Sequence, residues 1–268
     1  MAENIVSIFN WFGYRQLRHA EGFRLIKRAG FEGVLLWWDA AAGGEDYRRQ
    51  PEQARRAGLW VENMHTQFDG VHHIWEDNAA GQAVFEYYLR CVDDCAAFEI
   101  PTMVMHAHKR GVPMPADTRL GFGRFRRVVD RAERLGVNVA MENQRSADQM
   151  ALASLLLEGI GSPRFGFCLD SGHHHARAVP EIDMLARFGR RLMALHLHDN
   201  DAMDDQHLLP FDGTADWPAQ MRAIAAAGYR GPTTLEVVNE GYSQLAPEEF
   251  LALAYERAVK LEQLRIFA

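Results

Sequence analysis

The chain has 268 residues, 48% hydrophobic and 24% charged, which is ordinary for a globular protein able to bury a sizeable core. Its formal net charge of −7 argues against a partner such as nucleic acid, whose phosphate backbone calls for a basic face. No apolar run reaches the length of a membrane span, the N-terminal MAENIVSIFNWFG lacks the basic start of a signal peptide, and three cysteines do not suit a disulfide framework; a reducing cytoplasm is the expected location.

Strand-like and helix-like segments alternate along the chain. The first apolar run, 4-NIVSIFN-10, leads into Trp11 and Phe12, which either wall a pocket or pack against the last helix. An amphipathic segment at 19–30 closes on Gly30, a helix-terminating glycine, and Gly58, Gly136 and Gly228 stand in equivalent places. The second run, 33-GVLLWW-38, ends in two tryptophans; neighbours on a strand face opposite sides, so one of Trp37 and Trp38 faces the strand-end mouth and the other the core. The third, 60-WVENMH-65, ends on His65, and the segment 68–80 after it carries Phe68 and Trp75 as further aromatic faces or as a contact for a homo-oligomer. Cys91 and Cys95, four apart in the helical segment 82–98, read as buried thiols. The fourth run, 102-TMVMH-106, ends on His106. After the helical segment 120–136, the fifth, 137-VNVAME-142, ends on Glu142. The sixth, 165-FGFCLD-170, ends on Asp170 with His173 close behind, and His174 and His175 read as a solvated loop. The seventh, 192-LMALHLH-198, sets His196 and His198 on one face before Asp199, Asn200 and Asp201, and the eighth, 232-PTTLEV-237, carries Glu236 ahead of a helix at 248–264.

Eight such units predict an α/β fold, a single (β/α)8 TIM barrel spanning 1–268, with a doubly wound sheet as the alternative. No dinucleotide-binding or P-loop motif and no linker interrupts the pattern. In a barrel of this kind the strand ends form the active-site rim, so strands three to eight each deliver an imidazole or a carboxylate to one place. Such a set repels itself unless a cation joins it. The expected cofactor is a divalent metal held by Glu142, Asp170, His196 and Glu236, and mixed nitrogen and oxygen ligands favour Mn2+, Zn2+, Co2+ or Fe2+ over Ca2+ or Mg2+. His198, one pleat beyond His196, is expected to line the pocket or support the ligands.

The segments AMEN, FGFCLDSGHHH, LHLHDND, DQHLLPFDGTADW and TLEV, in this order, resemble the xylose-isomerase-like TIM-barrel superfamily, which contains sugar isomerases and epimerases and endonuclease IV. Likeness to the ketose 3-epimerase branch implies one metal on Glu142, Asp170, His196 and Glu236, with the two glutamates moving protons and His173 touching substrate oxygen. That branch often carries an arginine soon after the strand-seven histidine, where this chain has Ala202 and Met203. Likeness to the endonuclease branch implies further metal ligands at His65, His106, His173, Asp205 and His207, and a multinuclear phosphoesterase.

The preferred expectation is a metal-dependent sugar isomerase or epimerase. The metal polarises a carbonyl and stabilises an enediolate, while Glu142 and Glu236 act as base and acid on a small-molecule carbohydrate. Lys109, Arg145 and His173, with the aromatic faces of Trp37 and Trp11, are the expected sugar contacts. A lyase or dehydratase on a keto-sugar or hydroxy-keto acid would use the same centre, as would cleavage of a sugar–aglycone bond; a non-catalytic sugar sensor needs only the binding half.

Overall fold

A computed structural model describes residues 5–39, 46–176 and 183–267. Eight parallel strands form one sheet: β1 (Val6–Phe9), β2 (Gly33–Trp38), β3 (Trp60–Thr66), β4 (Thr102–Met105), β5 (Asn138–Glu142), β6 (Phe165–Asp170), β7 (Leu192–His196) and β8 (Thr233–Leu235). The order β7-β6-β5-β4-β3-β2-β1-β8 follows the chain round, and a parallel bridge between Leu197 and Leu235 joins the two ends into a nearly closed barrel. Two backbone bonds make that closure, Leu197 N to Thr234 O at 2.9 Å and Glu236 N to Leu197 O at 3.0 Å. The helices between the strands are α1 (His19–Ala29), α2 (Gln50–Arg56), α3 (Ala79–Ala97), α4 (Arg119–Leu135), α5 (Ala147–Gly159), α6 (Ser171–His175), α7 (Met184–Phe188), α8 (Trp217–Ala226) and α9 (Pro247–Ile266). Gly30 and Gly136 end α1 and α4 at φ 113° and 73°, in the left-handed region that a side chain disfavours.

The observed strands are shorter than the apolar runs. β7 stops at His196 and β8 at Leu235, so His198 and Glu236 stand just past their strands. His174 and His175, expected in a solvated loop, belong to α6, where His175 bonds Thr214 Oγ1 at 2.8 Å. Trp75, expected as a sugar-facing aromatic, is buried against Gly121 and Phe125, and its Nε1 donates to Ala107 O at 2.9 Å. A short 3-10 turn, Val71–Trp75, turns it inward. Cys91, Cys95 and Cys168 are buried free thiols.

Strand alternation divides the core in two. Outward residues such as Val34, Leu36, Met103, Met105, Phe165 and Phe167 pack under the helices. Inward residues Val104, Ala140, Cys168 and Ala194 form a separate small cluster. Each stands two positions before His106, Glu142, Asp170 or His196, so the chemistry rests one pleat above a floor of small side chains. The β2–β3 register slips between Val34 and Leu35, which pair with Val61 and Asn63. The extra residue is Glu62, whose carboxylate accepts from Thr234 Oγ1 of β8 at 2.5 Å.

Burial pushes the Glu62 carboxyl up to about 7, although Thr234 hydrogen-bonds to it. A folded value above the unfolded one gives a proton-linked stability that is complete below the unfolded value and is lost as pH rises through about 7. We expect metal-free Glu62→Gln to gain on the parent protein between pH 5 and pH 8, by on the order of 2–3 kcal/mol. Urea unfolding at the two pH values checks this; parallel losses in both proteins would refute it.

Candidate functional site

The barrel's carboxyl-end rim brings the sequence-predicted residues into one cup. Glu142, at the end of β5, is its centre and is almost fully buried. One of its oxygens lies 2.9 Å from His65 Nε2 and 3.3 Å from both His106 Nε2 and His196 Nδ1, while the other lies 3.3 Å from His173 Nδ1. His196 Nδ1 is also 3.3 Å from Glu236 Oε2, so one imidazole edge faces two carboxylates. Asp170 caps α6 by accepting from His173 N at 2.7 Å, and the same oxygen is 3.0 Å from His198 Nε2. His198 is fully buried and stacks on His207 at 3.9 Å, so it supports the ligands from behind.

The loop after β7 supplies the rest. Asp199, which the sequence leaves looking like one acid in a cluster, is fully buried and ties this loop together. Its carboxylate accepts from Asn200 N, Ala215 N, Phe211 N and Trp217 Nε1 at 2.8–3.1 Å. Its backbone makes an isolated antiparallel bridge with Leu208. The loop so fixed sets Asp205 Oδ2 3.0 Å from His173 Nε2, with Asp205 Oδ1 3.7 Å from His198 Nε2 and from His207 Nε2. His207 adopts φ 48°, a left-handed conformation that costs a non-glycine residue energy. No sequence signal marks Asp199 as the loop's anchor, because its partners lie up to 18 residues away.

Three imidazoles hand one ring nitrogen to a backbone carbonyl: His65 Nδ1 to Thr66 O at 2.7 Å, His173 Nδ1 to Asn143 O at 3.0 Å and His207 Nδ1 to Glu236 O at 2.7 Å. A ring that donates through Nδ1 carries its lone pair on Nε2, the form a metal needs. His106 Nε2, both ring nitrogens of His196 and Asp205 Oδ1 are buried without a hydrogen-bond partner. Ligand atoms of His65, His106 and Glu142, of His65, His196 and Glu236, and of His198, Asp205 and His207 each gather within 4.8 Å. Hard oxygen and imidazole donors so arranged fit a divalent cation.

Imidazoles and carboxylates in this cluster shift one another's protonation. Burial opposes charge on His196 and His173, yet Cys168, Glu236 and Glu142 around the first, and Asp170, Asp205 and Glu142 around the second, raise both well above the usual imidazole value. Burial would raise Glu142, but His106, His173 and His196 hold it well below the carboxylate range. Glu236 is brought down to about 2 against the same burial, chiefly by His196. Burial makes His106 harder to protonate, and Glu142 only partly offsets this.

The expected sugar contacts divide between two cavities. His173, Lys109 and Arg145 line a cavity of about 250 Å3 over the cup, together with Phe68, which stacks on His106 at 4.8 Å. Trp11 instead lines a smaller neighbouring cleft of about 70 Å3, with Arg15 over its ring. Trp37 borders that cleft and also stands 5.2 Å from the His65 ring, while Trp38 is core.

Comparison with known proteins agrees with the fold. The family described as xylose isomerase-like TIM barrel matches residues 23–257. Protein y4fM of Sinorhizobium fredii is 32% identical over 304 residues, covering 98% of this chain and 95% of that one. Fructoselysine 3-epimerase of Escherichia coli O157:H7 is 29% identical over 265 residues, covering 91% and 96%. Among solved structures, IolI with a bound zinc atom superposes with a TM-score of 0.78 at 14% identity, covering 97% of this chain and 98% of that one.

Two outcomes are expected at this site. Metal uptake should displace the proton from His196, whose acidic neighbours raise it well above the usual imidazole value, so affinity should strengthen as pH rises; calorimetry in buffers of different ionisation enthalpy counts the protons released. Adding Mn2+ or Zn2+ at about 100 times its dissociation constant to chelator-treated protein should stabilise it by about 2.7 kcal/mol, a shift of roughly 5–10 °C in melting temperature. The shift should vanish in His196→Ala; an unchanged shift in that variant would place the ion elsewhere.

Proposed function

Because this chain belongs to the xylose isomerase-like TIM barrel family, we propose that it is a divalent-metal-dependent isomerase or epimerase of a ketose or ketose derivative, with Glu142 and Glu236 as the proton-moving pair. The reading is carried by the shared imidazole edge: Glu142 and Glu236, from β5 and from just past β8, each bring an oxygen to 3.3 Å from His196 Nδ1. Two carboxylates that reach one imidazole from different strands suit a reaction that takes a proton from carbon and returns one to it. Both are held ionised, the state a general base requires. The likeness to fructoselysine 3-epimerase supports this chemistry, and the zinc of IolI supports a metal.

In this reading Glu142, Asp170, His196 and Glu236 would hold the cation, which would supply Lewis acidity that makes the C–H beside the substrate's carbonyl more acidic. One glutamate takes that proton and leaves an enediolate. For epimerisation the other, once it has taken up a proton from solvent, delivers it to the opposite face; for isomerisation the first glutamate returns its own proton to the neighbouring carbon. His173, oriented by Asn143 O at Nδ1, would contact a substrate oxygen that takes the place of Asp205 at Nε2. Phe68 offers a ring face for the sugar's C–H bonds.

A second reading, a multinuclear phosphoesterase, is favoured by one observation: the groups His65–His106–Glu142 and His198–Asp205–His207 also gather ligand atoms. Elemental analysis separates the two, with about one metal per chain for the epimerase centre and about three for the esterase. The primary test is proton exchange at carbon. In deuterated water the metal-loaded protein should wash deuterium into a ketose next to its carbonyl. Glu142→Gln and Glu236→Gln should each slow that exchange by about 10²–10⁴-fold. No exchange across a panel of ketoses would remove the epimerase reading.

A further inference from the structure

We propose that the substrate is a keto-sugar bearing an acid group, carboxylate or phosphate, and that Lys109, Arg110 and Gln144 bind that group; this rests on the epimerase reading and names its substrate class. The cavity over the cup has two unlike walls. One is the imidazole and carboxylate set. The other comes from the loops after β4 and β5, and it offers donors without free acceptors.

His108 on that wall is spent: its Nδ1 accepts from Lys109 N at 2.9 Å and its Nε2 donates to Pro113 O at 3.1 Å. Gln149 is fixed by three bonds. Its Oε1 accepts from Ser146 Oγ at 2.9 Å, and its Nε2 donates to His108 O and to Gln144 Oε1, each at 3.0 Å. That network turns Gln144 Oε1 toward Gln149 and leaves Gln144 Nε2 buried without an acceptor, on a side chain only 5% exposed. Arg145 spends two N–H groups on Met203 O and Asp204 Oδ1 at 3.0 and 3.1 Å, and its Nε has no acceptor. Arg110 lines the cavity and makes no ion pair among the described residues. Lys109 pairs with Asp69 at 2.9 Å, but Asp69 is largely exposed and Lys109 half-buried, and such a pair is readily exchanged.

The cavity's carboxylates, Glu142, Asp170, Asp205 and Glu236, are all committed to imidazoles. A sugar hydroxyl carries no charge to match Lys109 and Arg110, whereas a carboxylate or phosphate is rich in acceptors and carries the complementary charge, so it suits a wall of cations beside an unspent amide donor.

Calorimetry on the metal-loaded protein tests this with D-fructose, D-fructose 6-phosphate and D-fructuronate. At least one anionic ketose should bind about tenfold or more tighter than D-fructose, the size of one charge-assisted hydrogen bond. The preference should shrink from about 50 mM to about 500 mM salt. In the double variant Lys109→Ala/Arg110→Ala, checked for folding by circular dichroism, the anionic-to-neutral ratio should fall to within about twofold. A tighter uronate identifies a carboxylate and a tighter phosphate ester a phosphoryl group; either supports the proposal. Equal affinities for the three ketoses overturn it. A preference that survives the double variant also overturns it, since the metal alone would then be holding the anion. Deuterium exchange is scored separately: exchange on D-fructose without anion preference removes this proposal alone, whereas a wall-dependent anion preference without exchange on any ketose removes the epimerase reading alone.

Discussion

A buried carboxylate among imidazoles governs this molecule. Glu142 has almost no contact with water, yet it is held ionised by His106, His173 and His196, with His65 hydrogen-bonded to it. An isolated charge at that depth would be too costly for a folded protein to keep. The compensation comes from residues far apart in sequence, so it exists only if the barrel closes and each strand ends at the right height. The closure between β7 and β8 is therefore part of the site: the bonds from Leu197 to Thr234 and from Glu236 to Leu197 set His196 and Glu236 side by side.

Beneath that layer the barrel interior is built from small side chains, Val104, Ala140, Cys168 and Ala194. Bulkier residues would lift the rim or push its side chains apart. The floor is completed by polar groups, Glu62 bonded to Thr234 across the barrel, with Ser7 and Asn63 nearby and also buried. A bulge in β3 makes room for Glu62, and keeping its proton near neutrality avoids a second bare charge under the first. Stability and chemistry share one constraint: charge in the barrel must be balanced layer by layer.

The mouth shows the same economy with opposite sign. Carboxylates and imidazoles occupy one wall and satisfy each other, while the loops after β4 and β5 present cations and amide donors with few internal acceptors. This asymmetry gives the cavity a direction: the proposed substrate would set its reacting end over the cup and its far end against the donors. The loop after β7, tied by Asp199, closes the cup from the third side and carries Asp205 and His207 into it.

The sequence alone determined the barrel and the identity of the rim residues. Strand periodicity fixes which face a side chain takes, and a parallel barrel sends every strand end to one rim, so His65, His106, Glu142, Asp170, His196 and Glu236 could be grouped from spacing alone. Tertiary structure decided what periodicity cannot encode. Trp75 is core because a 3-10 turn rotates it inward, and Trp11 lines a neighbouring cleft instead of the cup. His198 backs Asp170 because β7 ends two residues earlier than its apolar run. Asp199 became a loop anchor, and Gln144 acquired an unspent donor, only through partners brought in by other segments. Hydrogen-bond satisfaction is a property of the assembled neighbourhood, and a single strand's pattern carries no information about who its neighbours will be.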